Sequence, residues 1–183
     1  MLTLSLRSLQ FAGYWTAVFW WGLTAMGEEP AAKTEGEWIK SSAGFGAQLM
    51  LTDEPDKFLE AWNKPTRGVD VTSTTTAVRG KPLVAFVLFA GAKADAKGEA
   101  DVAANVSIWK PDGSAYAPEH EIEIWQNKPA PKNNAIELGV GQVGVNIEQD
   151  DPDGKYQVRV KVHDRVSGAN VELRRSFQVR PRK

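Results

Sequence analysis

Glu121 and Glu123, two positions apart, are the residues of this chain whose spacing best suits acid–base chemistry. On an extended strand such residues share a face. Glycoside hydrolysis uses a carboxylate pair about 5–5.5 Å or about 6.5–9.5 Å apart, depending on mechanism. The surrounding "HEIEIW" alternates glutamate with isoleucine, however, which is the pattern of a half-buried surface strand, and the pair is read that way. Asp150, Asp151 and Asp153 could offer oxygen ligands to calcium, but the run lacks the terminal glutamate of an EF-hand loop and reads as a solvated turn. His120 and His163 are the two histidines, and strand alternation puts each on a polar face rather than together at a metal. No GxSxG, HExxH, P-loop or GxGxxG motif occurs, and "GFGA" and "GVGQVG" lack the strand-to-helix setting that phosphate binding requires. No catalytic residue, metal ligand or cofactor is therefore assigned, and no enzymatic activity is expected.

What remains is aromatic surface. Trp109 and Trp125 fall on the polar parity of their strands, beside Ser107 and Glu123. Such a pair would form a platform for a protein or a sugar, since aromatic rings offer large contact area at low entropic cost. The competing reading has an N-terminal helix or strand cover them, with Trp38 and Trp62 in the same satellite core. An amphipathic helix must bury its Phe58 and Trp62 against something, which favours that covering. A binding surface, if one exists, falls on Trp109, Trp125 and the loop around His120. Asn105-Val106-Ser107 matches a glycosylation sequon inside a predicted strand and is given no role.

The chain that must position these residues has 183 amino acids and a formal net charge of −1. No basic footprint of the kind nucleic-acid binding needs is present. Cysteine is absent, which excludes disulfides, thiol nucleophiles and thiolate zinc sites. Arg7 is the one charged side chain ahead of Glu28, and "SLQFAGYWTAVFWWGLTAMG" (Ser8–Gly27) carries no charge. A basic residue, an apolar run and small residues at Ala25 and Gly27 predict a secretory signal peptide over 1–27. The alternative is an uncleaved anchor over 8–27. Either way the rest of the chain is expected to be periplasmic or secreted, touching a membrane only through that segment if it is kept.

Residues 28–68 read as a polar lead-in, a short strand in "WIKSSAGFGAQLMLT" that ends near Thr52 and is entered through Gly44 and Gly46, and one short helix. Pro55 suits its first turn, Phe58, Leu59 and Trp62 make its apolar face, and Pro65 and Gly68 end it. From Val69 the sequence turns to strands. "LVAFVLFA" (Leu83–Ala90) is continuously apolar and suits a strand buried on both faces. "DVAANVSIW" sets Val102, Ala104, Val106 and Ile108 on one side, and "QVGVNI" does the same with Val143, Val145 and Ile147. "DDPDGKYQVRVKVHD" passes from turn residues to Tyr156, Val158, Val160 and Val162 on one face, with Gln157, Arg159, Lys161 and His163 opposite. Val171, Leu173, Phe177 and Val179 share the face of a last strand, which Arg175 interrupts, predicting a bulge or a sheet edge. Short strands at this spacing predict an antiparallel β-sandwich over 69–183.

The order turn, Gly154, Tyr156, alternating valines, hairpin, last strand resembles the corner of immunoglobulin-like sandwiches, where a tyrosine bonds back to the preceding turn. "VSIWKPDGSAY" is similar to a strand–turn–strand of the macroglobulin group. Residues 69–180 thus resemble bacterial immunoglobulin-like domains of the fibronectin type III or macroglobulin kind, with Tyr156 and Gly154 as structural residues. The resemblance implies a mainly β protein carrying one short N-terminal helix. It also implies an exported, non-enzymatic binding or scaffolding module with a protein partner in the cell envelope. A carbohydrate-binding module using exposed tryptophans is the alternative.

Overall fold

The computed structural model describes residues 37–64 and 72–180. The expected signal segment, the lead-in to Gly36, the breakers Pro65 and Gly68, and the start of the first β-branched run lie outside the described residues. Among the described residues no helix is long and apolar enough to cross a membrane.

The described chain is mainly β: β1 (Ile39–Ser42), β2 (Phe45–Thr52), α1 (Pro55–Trp62), β3 (Thr76–Ala77), β4 (Pro82–Ala90), β5 (Glu99–Trp109), β6 (Ala115–Pro129), β7 (Glu137–Asn146), β8 (Gly154–Asp164) and β9 (Asn170–Val179). A four-stranded sheet runs β1-β2-β4-β7 and a five-stranded sheet runs β3-β9-β8-β5-β6. Neighbours pair antiparallel, except that the short β3 joins β9 in parallel.

The strand expected to end near Thr52 is β2, and it forms the second arm of a hairpin with β1. Ser42 pairs with Phe45, so the loop is Ala43-Gly44, at φ 52° and 85°. Two left-handed residues in a two-residue loop match the right-handed twist of the strands they join. Gly44 takes that conformation freely, whereas Ala43 does so against its Cβ.

Between the sheets lies one core. Leu83, Ala85, Val87 and Phe89 of β4 meet Val102, Ala104, Val106 and Ile108 of β5 and the inward valines of β8. Fully burying each such branched side chain contributes about 1.5–3 kcal/mol. The alternate residues of β4, Val84, Phe86 and Leu88, are buried too, under α1. Phe58 stacks on Phe86 with ring centroids 4.5 Å apart and on Trp62 at 6.3 Å. The run "LVAFVLFA" is continuously apolar because both of its faces are covered.

Arg175 makes no bulge, but it does fall at the sheet margin: β3 pairs only with Gln178 and Val179, so among the described residues β8 alone pairs with β9 at Arg175. The β8–β9 register is unbroken through it, so its side chain keeps the inward parity of Leu173 and Phe177. Its guanidinium donates to the Leu49 carbonyl (2.9 Å) and to Ser73 Oγ (3.1 Å). It also lies over the Trp38 ring at 4.9 Å. Burial lowers its pKa from the usual arginine value. Hydrogen bonds to both chain segments let an inward cation stay without distorting the strand.

The turn ahead of β8 is tied by Tyr156, fully buried, whose hydroxyl donates to the Pro152 carbonyl at 2.8 Å. Its ring stacks on Phe177 (5.3 Å) and meets Tyr116 edge-on (5.9 Å). Gly154, at φ 131°, lies so close to Pro111 that a Cβ there would stand 2.9 Å from that ring. The first two glycines of "GVGQVG" also mark close approach. A Cβ on Gly139 would come within 2.7 Å of Ile124 Cγ2, and one on Gly141 within 2.5 Å of the Glu123 carbonyl. They let β7 close against β6 at one margin of the sandwich.

Candidate functional site

The two sheets treat their outer faces differently. That of the four-stranded sheet is apolar and lies under α1, apart from a recess of about 220 Å³ bordered by Ile39, Leu88 and Ile136. Lys40, Ser41 and Gln48 also border it. The outer face of the five-stranded sheet is polar and carries no covering element among the described residues. The register Asn105↔Lys161, Ser107↔Arg159 and Trp109↔Gln157 brings the polar parities of β5 and β8 side by side. The Lys161↔Glu172 and Arg159↔Arg174 pairs extend the face across β9.

Two recesses open on this face. One, of about 220 Å³, is bordered by Trp109, Arg159, Lys161 and Arg174, with Glu119 and Glu172. Trp109 is half-buried, and its Nε1 donates to Ser107 Oγ at 3.1 Å. The Arg159 guanidinium lies 4.5 Å from the centre of the indole, and its Nε donates to Gln157 Oε1 at 2.6 Å. Stacking of this kind positions the flat cation on the ring and contributes about 0.5–1 kcal/mol where exposed.

The other recess, of about 420 Å³, is bordered by Asn105, Glu121, His163 and Arg165. His163 Nε2 donates to Asn105 Oδ1 at 2.8 Å. Burial, followed by the nearby Lys161 charge, holds the imidazole below the usual histidine range. Arg165 reaches Glu121 (2.6 Å), Glu123 (3.2 Å) and Asp101 (3.2 Å). Burial opposes its charge, but Glu123, Asp101 and Glu121 prevail and its pKa is raised. Beneath the recess the fully buried Asp164 carboxylate accepts the amides of Lys93 (3.0 Å) and Val166 (3.2 Å) and bonds the Ser167 hydroxyl. That carboxylate braces the β8–β9 turn.

The residues singled out from sequence are dispersed. Trp109 is on the outer face, on the parity expected. Trp125 is not: Val102 pairs with Trp125 while Ala103 pairs with Glu123, leaving Ile124 as an extra residue. This bulge reverses the parity of Trp125, until a second register shift between Ala100 and Val102, and Trp125 turns in to meet Phe89 edge-on at 5.5 Å. Its Nε1 donates to the Pro129 carbonyl (3.2 Å), and Lys128 Nζ sits 4.7 Å from the ring centre. His120 pairs with the inward-facing Val106 yet is exposed, its Nδ1 3.4 Å from the Pro118 carbonyl. It therefore belongs to the opposite parity from His163, and the two histidines do not meet. Trp38 lies under Arg175 and Trp62 beside Phe58, so neither α1 nor its neighbours cover Trp109.

Glu121 and Glu123 do share a face, with Arg165 between them. The aspartates of the turn serve the corner. Asp151 Oδ2 accepts the Glu148 amide (2.8 Å) and lies 2.8 Å from the Tyr116 hydroxyl, while Asp153 pairs with Arg79. Among the described residues no three histidine, aspartate or glutamate side chains gather as a cation site. Sequence reasoning missed Arg159, Lys161, Arg174 and Asn105 as neighbours of Trp109. The alternation placed them on polar faces; what it lacked was the pairing of β5 with β8.

No protein-family model matches the chain, and no curated protein matches it. Among solved structures, the chain is similar to a family 123 glycoside hydrolase from Clostridium perfringens, an enzyme of glycolipid glycan hydrolysis. The match has 12% sequence identity and a TM-score of 0.42, covering 76% of this chain and 28% of that one. At that level it carries no argument about fold or activity.

Proposed function

We propose that this chain is an exported, non-enzymatic binding or scaffolding module of the cell envelope. It is built on an immunoglobulin-like sandwich and contacts a protein partner through the outer face of its five-stranded sheet. The strand order supports the fold assignment. β2, β4 and β7 take the places of strands A, B and E, and β9, β8 and β5 those of G, F and C, with β6 added beside C. Tyr156, at the start of β8 with its hydroxyl on the Pro152 carbonyl, stands where the tyrosine corner stands in such domains. Export rests on Arg7, the uncharged run to Gly27 and the small residues at its end.

One observation carries the binding reading: Trp109 lies on an uncovered polar face, beside cations that make no ion pair among the described residues. Aromatic and arginine side chains of this kind dominate protein interfaces. The carbohydrate alternative needs a ring open for stacking. Arg159 lies over Trp109, and Trp125 is turned toward Phe89, which favours a protein. The arginine shared by Glu121 and Glu123 favours a structural role for that pair over a hydrolytic one.

The test is a photocrosslinking residue placed at position 161 or, as a control on α1, at position 60 of the exported chain. A discrete envelope protein crosslinked from 161 and not from 60 is the expected result. Crosslinking from 60 alone, or retardation in a polysaccharide gel that Trp109→Ala abolishes, overturns the protein-partner reading.

A further inference from the structure

The recess at Trp109 contains an arginine held in place with most of its hydrogen-bonding capacity unused among the described residues. Arg159 is fixed on two sides: its plane stacks at 4.5 Å on the indole, and its Nε–H is taken by Gln157 Oε1 at 2.6 Å. Gln157 in turn sits opposite Trp109 in the β5–β8 register, so ring, amide and guanidinium form one supported set. Among the described residues the terminal nitrogens Nη1 and Nη2 have no hydrogen-bond partner. These are the paired parallel donors that fit the two oxygens of a carboxylate, and holding them in place beforehand reduces the ordering cost of binding. Lys161 and Arg174 border the same recess as exposed cations, against two exposed carboxylates, Glu119 and Glu172. Three cations against two anions leave the recess one positive charge in excess. That sign stands out in a chain whose net charge is −1.

From this geometry we propose that the recess recognises a carboxylate of an acidic peptide segment, with Arg159 as the bidentate anchor on Trp109 and with Lys161 and Arg174 flanking. This deepens the binding reading above and rests on it. A peptide is preferred to an acidic sugar because the indole face that would stack on a sugar ring is already occupied by Arg159. At about 220 Å³, the recess admits a carboxylate and its stem rather than a folded domain. The remainder of a partner would lie across the open sheet.

The test uses the full chain and follows the Trp109 Nε1–H and Arg159 Nε–H signals by NMR. The probes are N-acetylated, C-amidated hexaglutamate, a neutral peptide with a free C-terminus, and polygalacturonate. The first two separate side-chain from terminal carboxylates. Saturable shifts at both signals with either peptide are expected. Affinity should fall at least tenfold in Arg159→Lys, which keeps the charge but loses the fork, with unfolding midpoint unchanged. The proposal is overturned by equal affinity in Arg159→Lys, by no saturable shift with either peptide, or by binding of polygalacturonate alone. If the peptides fail while position 161 still crosslinks a protein, the carboxylate assignment falls and the binding reading stands. If both fail, both fall.

Discussion

The two outer faces of this sandwich are built from the same kind of strand and end in opposite conditions. On the four-stranded sheet, Met50, Val84, Phe86 and Leu88 point outward and are buried because α1 lies over them with Phe58 at its centre. On the five-stranded sheet, Asn105, Ser107, Arg159 and Lys161 point outward and meet no covering element among the described residues. The difference lies in β4 and β8. β4 is apolar at every position from Leu83 to Phe89, so it requires two covers, whereas β8 alternates and requires one. A face that the fold does not need for its own stability is available for contact with another molecule.

The comparison breaks first at Phe58. Phe58→Ala leaves a cavity against Phe86, and urea unfolding should show a loss of about 3–5 kcal/mol. Trp109→Ala on the open face should cost about 1 kcal/mol or less, as surface changes do. Similar losses for the two would mean that the open face is also a stability element.

Between the faces sits the corner that serves both sheets. Tyr156→Phe keeps the ring and leaves the Pro152 carbonyl without its donor, so a loss of about 1–2 kcal/mol is expected in the same assay. Burial, then the neighbouring Asp151, raises the pKa of Tyr156, and burial with a hydrogen bond to Asp151 raises that of Tyr116. Above pH 10 the unfolded tyrosines lose protons that the folded ones retain. Stability is therefore complete below pH 10 and falls as pH rises beyond it. Tyr116→Phe should flatten that alkaline limb in a pH series of unfolding midpoints.

The smallest effect belongs to the open face. His163 has a lowered pKa when folded, so below about pH 6.5 the unfolded chain takes up a proton that the folded one resists. Its contribution is present above that pH and is lost as pH falls. His163→Gln should match the wild type at pH 8 within about 0.5 kcal/mol and lose less stability on acidification to pH 5.

Strand identity and facing were legible in local alternation. The inward sets of β5 and β8, the doubly buried β4 and the apolar face of α1 can all be read from side chains a few positions apart. Three features could not. The Ala43-Gly44 hairpin places an alanine at positive φ, which residue preference argues against. The extra residue at Ile124 reverses the parity of Trp125, and nothing in "HEIEIW" marks where a partner strand will skip. Arg175 reads as an interruption until Leu49 and Ser73 are known to lie within reach. The Trp109–Arg159 stack failed to emerge for the same reason. It depends on β5 pairing with β8, a contact between residues 50 positions apart, and alternation contains no information about which strands are neighbours.

The most direct test is lysine acylation of the exported protein in intact envelopes, compared with the purified chain. Lys161 on the open face and Lys57 on α1 are both exposed. Slower labelling of Lys161 in envelopes, with Lys57 unchanged, is the predicted result. Equal labelling of Lys161 in both settings, or shielding of Lys57 instead, would contradict the assignment of the five-stranded face as the contact surface.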